Sequence, residues 1–243
     1  RPQAAQSLRR QCWRRMRVGN NPQKQEKVKP LAPIVLTVVT HLPNEEGYHA
    51  QRMEVIETCI STMTRHANTD YSLAIWDNGS CPKLLKYLDG LGADILVKSR
   101  NIGSHNAKAA LLGMLPPDTI AAYTDDDMLF SPDWLRPQIE LLNGFPNVAC
   151  VTGYAVRTAV RWGVENTLKW GAQNGMERGE SLSEQSERDF CASIGRVYSE
   201  HVRNTVQDYD YRIKHNGLEA YLTSHHCQFI ARAGTARKAV LFS

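Results

Sequence analysis

Short apolar runs alternate with amphipathic segments along most of the chain. The runs that have the length and composition of buried strands cover residues 34–40, 71–76, 94–97 and 120–124. Helical spacing of apolar residues follows the first run, at Met53, Ile56, Ile60 and Met63. Comparable helical patterns follow the other runs, at residues 84–91, 107–114 and 133–142. Because strand and helix alternate four times, the sequence predicts a mainly parallel, right-handed α/β sheet flanked by helices.

The pattern is less regular in the second half of the chain. Residues 148–152 are predicted to form a fifth strand, and residues 153–186 are rich in Gly, Asn, Glu and Arg. A long irregular stretch of this kind is typical of a lid or a binding loop. Residues 207–217 are predicted to form an acid-led helix that ends at Asn-Gly, and residues 218–222 to form a strand before Ser224-His225-His226-Cys227.

Three consecutive aspartates, Asp125, Asp126 and Asp127, follow the fourth predicted strand. Ser131 and Pro132 then have the features of a helix start, so the acids lie on a loop at the carboxyl end of a strand. Adjacent carboxylates repel one another unless a cation neutralises them. A solvated acidic turn is the plainer interpretation, but strand, acids and helix start together favour a divalent-cation site. Oxygen ligands suit Mg²⁺ or Mn²⁺ better than Zn²⁺.

Composition and charge narrow the class of protein. The 243 residues are 42% hydrophobic and 22% charged, which allows a substantial core. No apolar stretch is long enough for a membrane-spanning helix. The six cysteines are scattered without a C-x-x-C pair, which fits a reducing compartment, and we expect a cytoplasmic location. The sequence lacks G-x-G-x-x-G, G-x-x-x-x-G-K-[ST] and G-x-S-x-G, so the usual dinucleotide, P-loop and hydrolase motifs are missing.

Positive charge is concentrated in residues 1–30, which contain nine Arg or Lys residues and one acid, Glu26. The remaining chain has 20 basic and 24 acidic residues. Residues 1–30 are therefore predicted to be a basic extension of a mildly acidic domain that covers residues 31–243. The extension could bind nucleic acid, hold the protein at the periphery of an anionic membrane, or remain solvated.

The order of motifs resembles that of GT-A glycosyltransferases, particularly the family 2-like group. The motifs are the apolar first strand with its polar loop, Asp77-Asn78-Gly79-Ser80, Asn101-x-Gly103, residues 124–135 (T-D-D-D-M-L-F-S-P-D-W-L) and residues 207–217. The resemblance covers residues 33–227 and implies a GT-A fold. It implies a nucleotide-sugar half over residues 31–130 and an acceptor half over residues 131–243. The implied activity is metal-dependent transfer of a sugar, with inversion, from a nucleotide-diphosphate donor such as a UDP-sugar to an acceptor hydroxyl.

The resemblance also implies roles for individual residues. The residues expected to contact the nucleotide are Thr40, His41, Pro43, Asp77, Asn101, Gly103, Lys108, Asp125 and Asp126. Those expected to hold Mn²⁺ or Mg²⁺ on the diphosphate are Asp127, Asp125, His225 and His226. Asp208 matches the catalytic base, which takes a proton from the acceptor hydroxyl.

Several alternatives stay open at this point. Gln207 replaces the usual Glu before Asp208, so Asp210 could be the base instead, and both acids could simply favour a helix N-terminus. His225 and His226 could be ordinary histidines at a strand end. A sugar-phosphate nucleotidyltransferase is a second enzyme class, although its Gly-rich basic loop after the first strand is missing. A nucleic-acid-binding protein that acts through residues 1–30 is a third possibility.

Overall fold

The computed structural model describes residues 30–155, 157, 164–205 and 209–241. The strands, in chain order, are β1 (Ile34–Thr40), β2 (Ser72–Asn78), β3 (Ile95–Ser99), β4 (Ile120–Thr124), β5 (Glu177–Gly179), β6 (Asp210–His215), β7 (Leu218–Tyr221) and β8 (Gln228–Arg232). The helices are α1 (Arg52–Arg65), α2 (Pro82–Gly90), α3 (Ser104–Met114), α4 (Arg136–Gly144), α5 (Glu165–Gln173), α6 (Glu184–Ser193), α7 (Tyr198–Thr205) and α8 (Ala233–Leu241), with a 3₁₀ turn at Gly47–His49.

The central sheet has the strand order β3-β2-β1-β4-β8. Strands β1 to β4 are parallel, and β8 pairs with β4 in the antiparallel direction. The β1 strand lies in the middle and is buried along almost its whole length, which explains its uninterrupted apolar sequence. The prediction of a mainly parallel α/β sheet flanked by helices is confirmed, and the predicted bounds of β1 and β4 agree with the structure.

The hydrophobic core lies on both faces of this sheet. Alternate residues of each strand point to opposite faces, so Leu36 and Val38 pack on one side, and Val35 and Val39 pack on the other. The first side is covered by α1, α2 and α4, and the second by α3 and α8. The two helical methionines of α1 are buried core residues, as their spacing predicts.

Two boundaries in the middle of the chain differ from the prediction. The helix predicted from residue 133 begins at Arg136, because Asp133 has a left-handed backbone with φ of 60°. The fifth strand predicted at residues 148–152 is reduced to a single bridge between Val151 and Ile230. Within residues 153–186, the described part contains α5, β5 and the start of α6, so this stretch is more regular than predicted.

The prediction of a helix over residues 207–217 is wrong. Residues 210–215 form β6, which pairs with β7 in a small antiparallel sheet of order β5-β6-β7. Asn216 and Gly217 have φ of 50° and 80°, so they form the tight turn of a β-hairpin instead of ending a helix. The described residues include no helix with the length and apolar character to cross a membrane.

Candidate active site

The carboxyl ends of β1, β2 and β4 bring three of the predicted motifs to one edge of the sheet. Thr40, the last residue of β1, lies beside Asp77 of β2 in the parallel register. On the other side of β1, Val38 is in register with Thr124, which directly precedes the aspartates. This edge is where open α/β sheets bind ligands. A cavity of about 650 Å³ lies elsewhere, between α1, β2 and the end of α2, and contains none of the predicted site residues.

Asp77 is a buried carboxylate with one oxygen in use and one free. Its Oδ2 accepts hydrogen bonds from the backbone N–H groups of Gly79 and Ser80, both at 3.2 Å. Its Oδ1 is buried and has no hydrogen-bond partner among the residues that the structure describes, and the same is true of Thr40 Oγ1. Buried acceptors without a partner are costly, and they are expected where a ligand supplies the missing donor.

The turn after β2 depends on Gly79. This residue has φ of 85°, and a Cβ atom added to it would lie 2.6 Å from the backbone N of Asn101. The close approach lets Asn78 join the two loops, since its Oδ1 accepts from Ile102 N–H at 2.9 Å and its Nδ2 donates to Asn101 Oδ1 at 3.2 Å. The Asp-Asn-Gly-Ser and Asn-x-Gly motifs therefore form one connected unit.

His41 connects this unit to the loop that carries Asp125, Asp126 and Asp127, which is called the aspartate loop below. Its ring Nδ1 lies 3.0 Å from the carbonyl oxygen of Asn78, and a carbonyl only accepts, so Nδ1 carries the proton. Nε2 is then the acceptor for Asn101 Nδ2 at 3.4 Å. The backbone N–H of His41 donates to Asp126 Oδ2 at 3.2 Å. Of the remaining predicted nucleotide contacts, Pro43 is exposed in the loop after β1, and Gly103, with φ of 86°, directly precedes α3.

The three aspartates occupy three different environments. The exposed fractions of their side chains are 33% for Asp125, 10% for Asp126 and 52% for Asp127. Asp126 is thus almost buried, whereas its two neighbours are accessible. Arg52 forms an ion pair with Asp126 and lies 3.4 Å from Asp127 Oδ2. Burial raises the pKa of Asp126, and the opposing effects of Arg52 and the His41 N–H limit that rise.

Asp125 is oriented by Tyr123 and Lys108. The buried Tyr123 hydroxyl donates to Asp125 Oδ1 at 2.7 Å, and Lys108 Nζ lies 3.8 Å from the same oxygen. The ammonium group also lies 4.1 Å from the centre of the Tyr123 ring. Burial, and then the charge of Asp125, raises the pKa of Tyr123 well above its usual value, so its hydroxyl remains a donor. The charge of the aspartate loop is thus balanced in part by two protein cations.

Residues 225–227 reach the aspartate loop through the pairing of β8 with β4. The backbone N–H of Asp125 donates to the carbonyl of Cys227 at 2.7 Å. The rings of His225 and His226 stack with centroids 4.9 Å apart. Burial, and then the charge of His226, lowers the pKa of His225. Burial, and then Asp125, raises the pKa of Cys227 to about 12.

Of the two candidate bases, Asp208 lies outside the residues that the structure describes. Asp210 is described, and its side chain is fully buried. Its Oδ2 accepts from the backbone N–H groups of Ser181 and Leu182 at 2.6 and 2.7 Å, and its Oδ1 lies 3.3 Å from Arg157 Nε. Asp210 therefore ties β6 to the segment before α6. The strand found in place of the predicted helix also removes one support for the base role of Asp208, which stays a prediction.

Four residues of this site escaped the sequence prediction of individual roles. Arg52, Tyr123 and Cys227 contact the aspartate loop, and Gly79 permits the turn beside Asp77. Only Gly79 carried a local signal, since Asn-Gly marks a turn. Arg52, at the start of α1, is 74 residues away from Asp126 in the sequence, so no local pattern connects the two.

The donor groups of the loop fit a hard divalent cation in part. Asp127 is half-exposed, and its one ion pair with the described part of the chain is the 3.4 Å contact with Arg52, so its carboxylate is accessible. Tyr123 and Lys108 both contact Oδ1 of Asp125 and not its Oδ2. Both carboxylate oxygens of Asp126, in contrast, accept hydrogen bonds, from Arg52 and from the backbone N–H of His41. Oxygen ligands of this kind suit Mg²⁺ or Mn²⁺.

Comparisons with known proteins agree with this arrangement at the level of the family. The sequence model described as "Glycosyl transferase family 2" matches residues 39–203, which is more than half of the chain. No curated protein matches the sequence.

Two similar solved structures are distant. One is GalNAc-T7 in complex with UDP, GalNAc and Mn²⁺, with a TM-score of 0.35 and 15% identity over 44% of this chain. This chain spans only 20% of that protein. The other is 4-diphosphocytidyl-2C-methyl-D-erythritol synthase from Anaerococcus prevotii DSM 20548, with a TM-score of 0.42 and 12% identity over 86% of this chain and 75% of that one. Likeness at this level identifies neither a donor nor a metal.

Proposed function

Because the chain belongs to glycosyl transferase family 2, we propose that it is a metal-dependent glycosyltransferase that uses a UDP-sugar and an acceptor hydroxyl. The observation that carries the choice of donor is the pair of buried, unpartnered acceptors, Asp77 Oδ1 and Thr40 Oγ1, at the carboxyl edge of the sheet. A uracil base has an N–H group that can donate to such a carboxylate. A hydrogen bond of this kind contributes to specificity because its loss leaves a buried group unpaired.

Asp127 and Asp125 are the residues proposed to hold the divalent cation, and His225 and His226 stay further predicted ligands. When bound, Mn²⁺ or Mg²⁺ supplies positive charge that stabilises the departing diphosphate. Lys108 stands beside Asp125 and could contact a phosphate with its ammonium group. Arg52 forms an ion pair with Asp126 and thereby links the start of α1 to the aspartate loop.

Asp208 is proposed as the base that accepts the proton of the acceptor hydroxyl, with inversion at the sugar. A positioned base contributes about 10²–10⁴-fold to the rate. Asp210 is the weaker candidate, because its carboxylate is buried and already accepts two backbone hydrogen bonds beside Arg157.

The nucleotidyltransferase alternative has less support. Such an enzyme needs a basic, Gly-rich loop after β1, whereas residues 41–47 contain Glu45 and Glu46 and no Arg or Lys. Neither membrane nor nucleic-acid contact has support beyond the composition of residues 1–30, of which only Pro30 is described. A cytoplasmic location is proposed from the scattered cysteines of the sequence alone.

The proposal is tested by calorimetric titration of the full chain with UDP, with and without Mn²⁺. We expect Mn²⁺ to strengthen UDP binding. In the Asp127→Asn variant, the affinity for UDP in the presence of Mn²⁺ should fall by at least about tenfold, because substitution of residues that merely support metal ligands already lowers metal affinity by about 10–100-fold. Asp133→Asn is the matched control, because Asp133 contacts Arg136 and tolerates a left-handed backbone as Asn. Absence of UDP binding under both conditions would contradict the proposed donor, and Mn²⁺-independent binding would contradict the metal.

A further inference from the structure

His225, His226 and Cys227 form a compact group of potential metal ligands. One ligand atom from each residue lies within 4.8 Å of the other two. Among the described His, Cys, Asp and Glu residues, these three form the group whose ligand atoms all lie within 4.8 Å of one another. Neither Asp125 nor Asp127 belongs to the group. The oxygen ligands of the aspartate loop and the ligands of residues 225–227 are therefore neighbouring groups, and an ion held by Cys227 would take His225 and His226 from the cation of the aspartate loop.

Backbone contacts fix this group in place. The Cys227 carbonyl accepts from Asp125 N–H at 2.7 Å, and the Cys227 N–H donates to His225 Nδ1 at 3.3 Å. The pairing of Thr124 with Gln228 sets the register directly after Cys227. His226 is exposed, whereas His225 and Cys227 are half-buried. An ion from solvent can thus reach the group without opening the core.

The donor chemistry of the group differs from that of the aspartates. Two imidazole nitrogens and one sulfur suit a borderline-soft transition metal, whereas carboxylates suit Mg²⁺ or Mn²⁺. We propose that His225, His226 and Cys227 form a Zn²⁺ site beside the aspartate loop. Three protein ligands leave one position of a tetrahedral ion open, as in sites that bind a further molecule.

This site has a consequence for the reaction, and that consequence rests on the proposed function. The backbone carbonyl of Cys227 accepts a hydrogen bond from the backbone N–H of Asp125, so the two residues lie side by side. A Zn²⁺ ion on Cys227 therefore places positive charge beside Asp125. We expect Zn²⁺ to weaken Mn²⁺-dependent UDP binding by at least about tenfold, which corresponds to about 1.4 kcal/mol.

Co²⁺ is a spectroscopic probe for the site, because ligation by a thiolate gives a charge-transfer band in the near ultraviolet and ligation by oxygen alone does not. Titration of the full, reduced chain with Co²⁺ should produce this band, and added Zn²⁺ should remove it. Cys227→Ser should abolish the band. Cys12→Ser, Cys81→Ser and Cys150→Ser are matched controls and should retain it.

A second comparison separates this site from the proposed cation site. Asp127→Asn should keep the Co²⁺ band but lose the Mn²⁺ effect on UDP, and Cys227→Ser should lose both the band and the weakening of UDP binding by Zn²⁺. A wild-type chain without the band, or a Cys227→Ser variant that keeps it, would overturn the Zn²⁺ site. A chain that shows the band but no UDP binding would leave the Zn²⁺ site intact and contradict the proposed function.

Discussion

Arg52, the first residue of α1, forms an ion pair with Asp126, the middle aspartate of the loop after β4. The carboxylate is almost buried and also accepts the backbone N–H of His41. Arg52 thus neutralises the acid that faces inward, and its second contact, at 3.4 Å, is with the more exposed Asp127. The three aspartates are not equivalent, and substitutions in them should separate stability from ligand binding.

Replacement of Arg52 by Gln should lower the free energy of unfolding, because it leaves the Asp126 carboxylate without its cation. We expect a loss of about 2–3 kcal/mol, below the roughly 3–5 kcal/mol for a fully buried pair, since the Arg52 side chain is 21% exposed. Urea denaturation measures the change. Arg65→Gln, at the other end of α1, is the matched control, because the exposed Arg65 side chain donates to Ser61 of its own helix and forms no ion pair with the described residues.

The double variant Arg52→Gln/Asp126→Asn should recover part of the lost stability, because the unpaired charge is gone. If the double variant is as unstable as the sum of the two single variants, the two residues do not interact as inferred.

Asp77→Asn should weaken UDP binding without unfolding the protein. Gly79 and Ser80 donate to Oδ2, so the amide of the variant must place its oxygen there and its NH₂ group on the Oδ1 side. That NH₂ group would face the base N–H donor to donor. We expect a loss of about 1–3 kcal/mol in binding, or about 5- to 150-fold, by calorimetry. Asp94→Asn is the control, since Asp94 accepts from Leu73 N–H at the opposite end of β2; equal losses in both variants would refute the role of Asp77.

Asp208→Ala and Asp210→Ala should have different effects. We expect Asp208→Ala to abolish sugar transfer while UDP binding and the unfolding midpoint change little. Asp210→Ala should destabilise the fold by about 3–5 kcal/mol, because it removes a buried carboxylate that accepts two backbone N–H groups and faces Arg157. Transfer assays and thermal unfolding of both variants make the comparison. Normal turnover in Asp208→Ala would exclude it as the base.

Gly79→Ala should disturb both stability and UDP binding. The new Cβ atom would lie 2.6 Å from the backbone N of Asn101, and the residue has φ of 85°. We expect a loss of about 1–3 kcal/mol in the free energy of unfolding, together with weaker UDP binding as the Asp77 turn shifts. Gly90→Ala, at the end of α2, meets no atom within 4 Å and should be neutral or slightly stabilising. Similar behaviour of both variants in urea denaturation would contradict the close approach.

The sequence by itself determined the first four strands and most of the helices between them. Residues 34–124 alternate short apolar runs with segments of helical spacing, and both patterns are local, so they predict elements without knowledge of the partners. The strand end before Asp125 and the turn after Asp77 were predicted for the same reason, because apolar runs and Gly-containing turns are local features.

Only the tertiary structure decided which cations neutralise the aspartates and which residues from later in the chain contact them. Arg52 and Asp126 meet across 74 residues, and Cys227 reaches Asp125 only because β8 pairs with β4 in the antiparallel direction. The helix predicted at residues 207–217 became a hairpin for a related reason. An acidic start and an Asn-Gly end are compatible with both elements, and the choice depends on whether a neighbouring strand, here β5 or β7, satisfies the backbone hydrogen bonds.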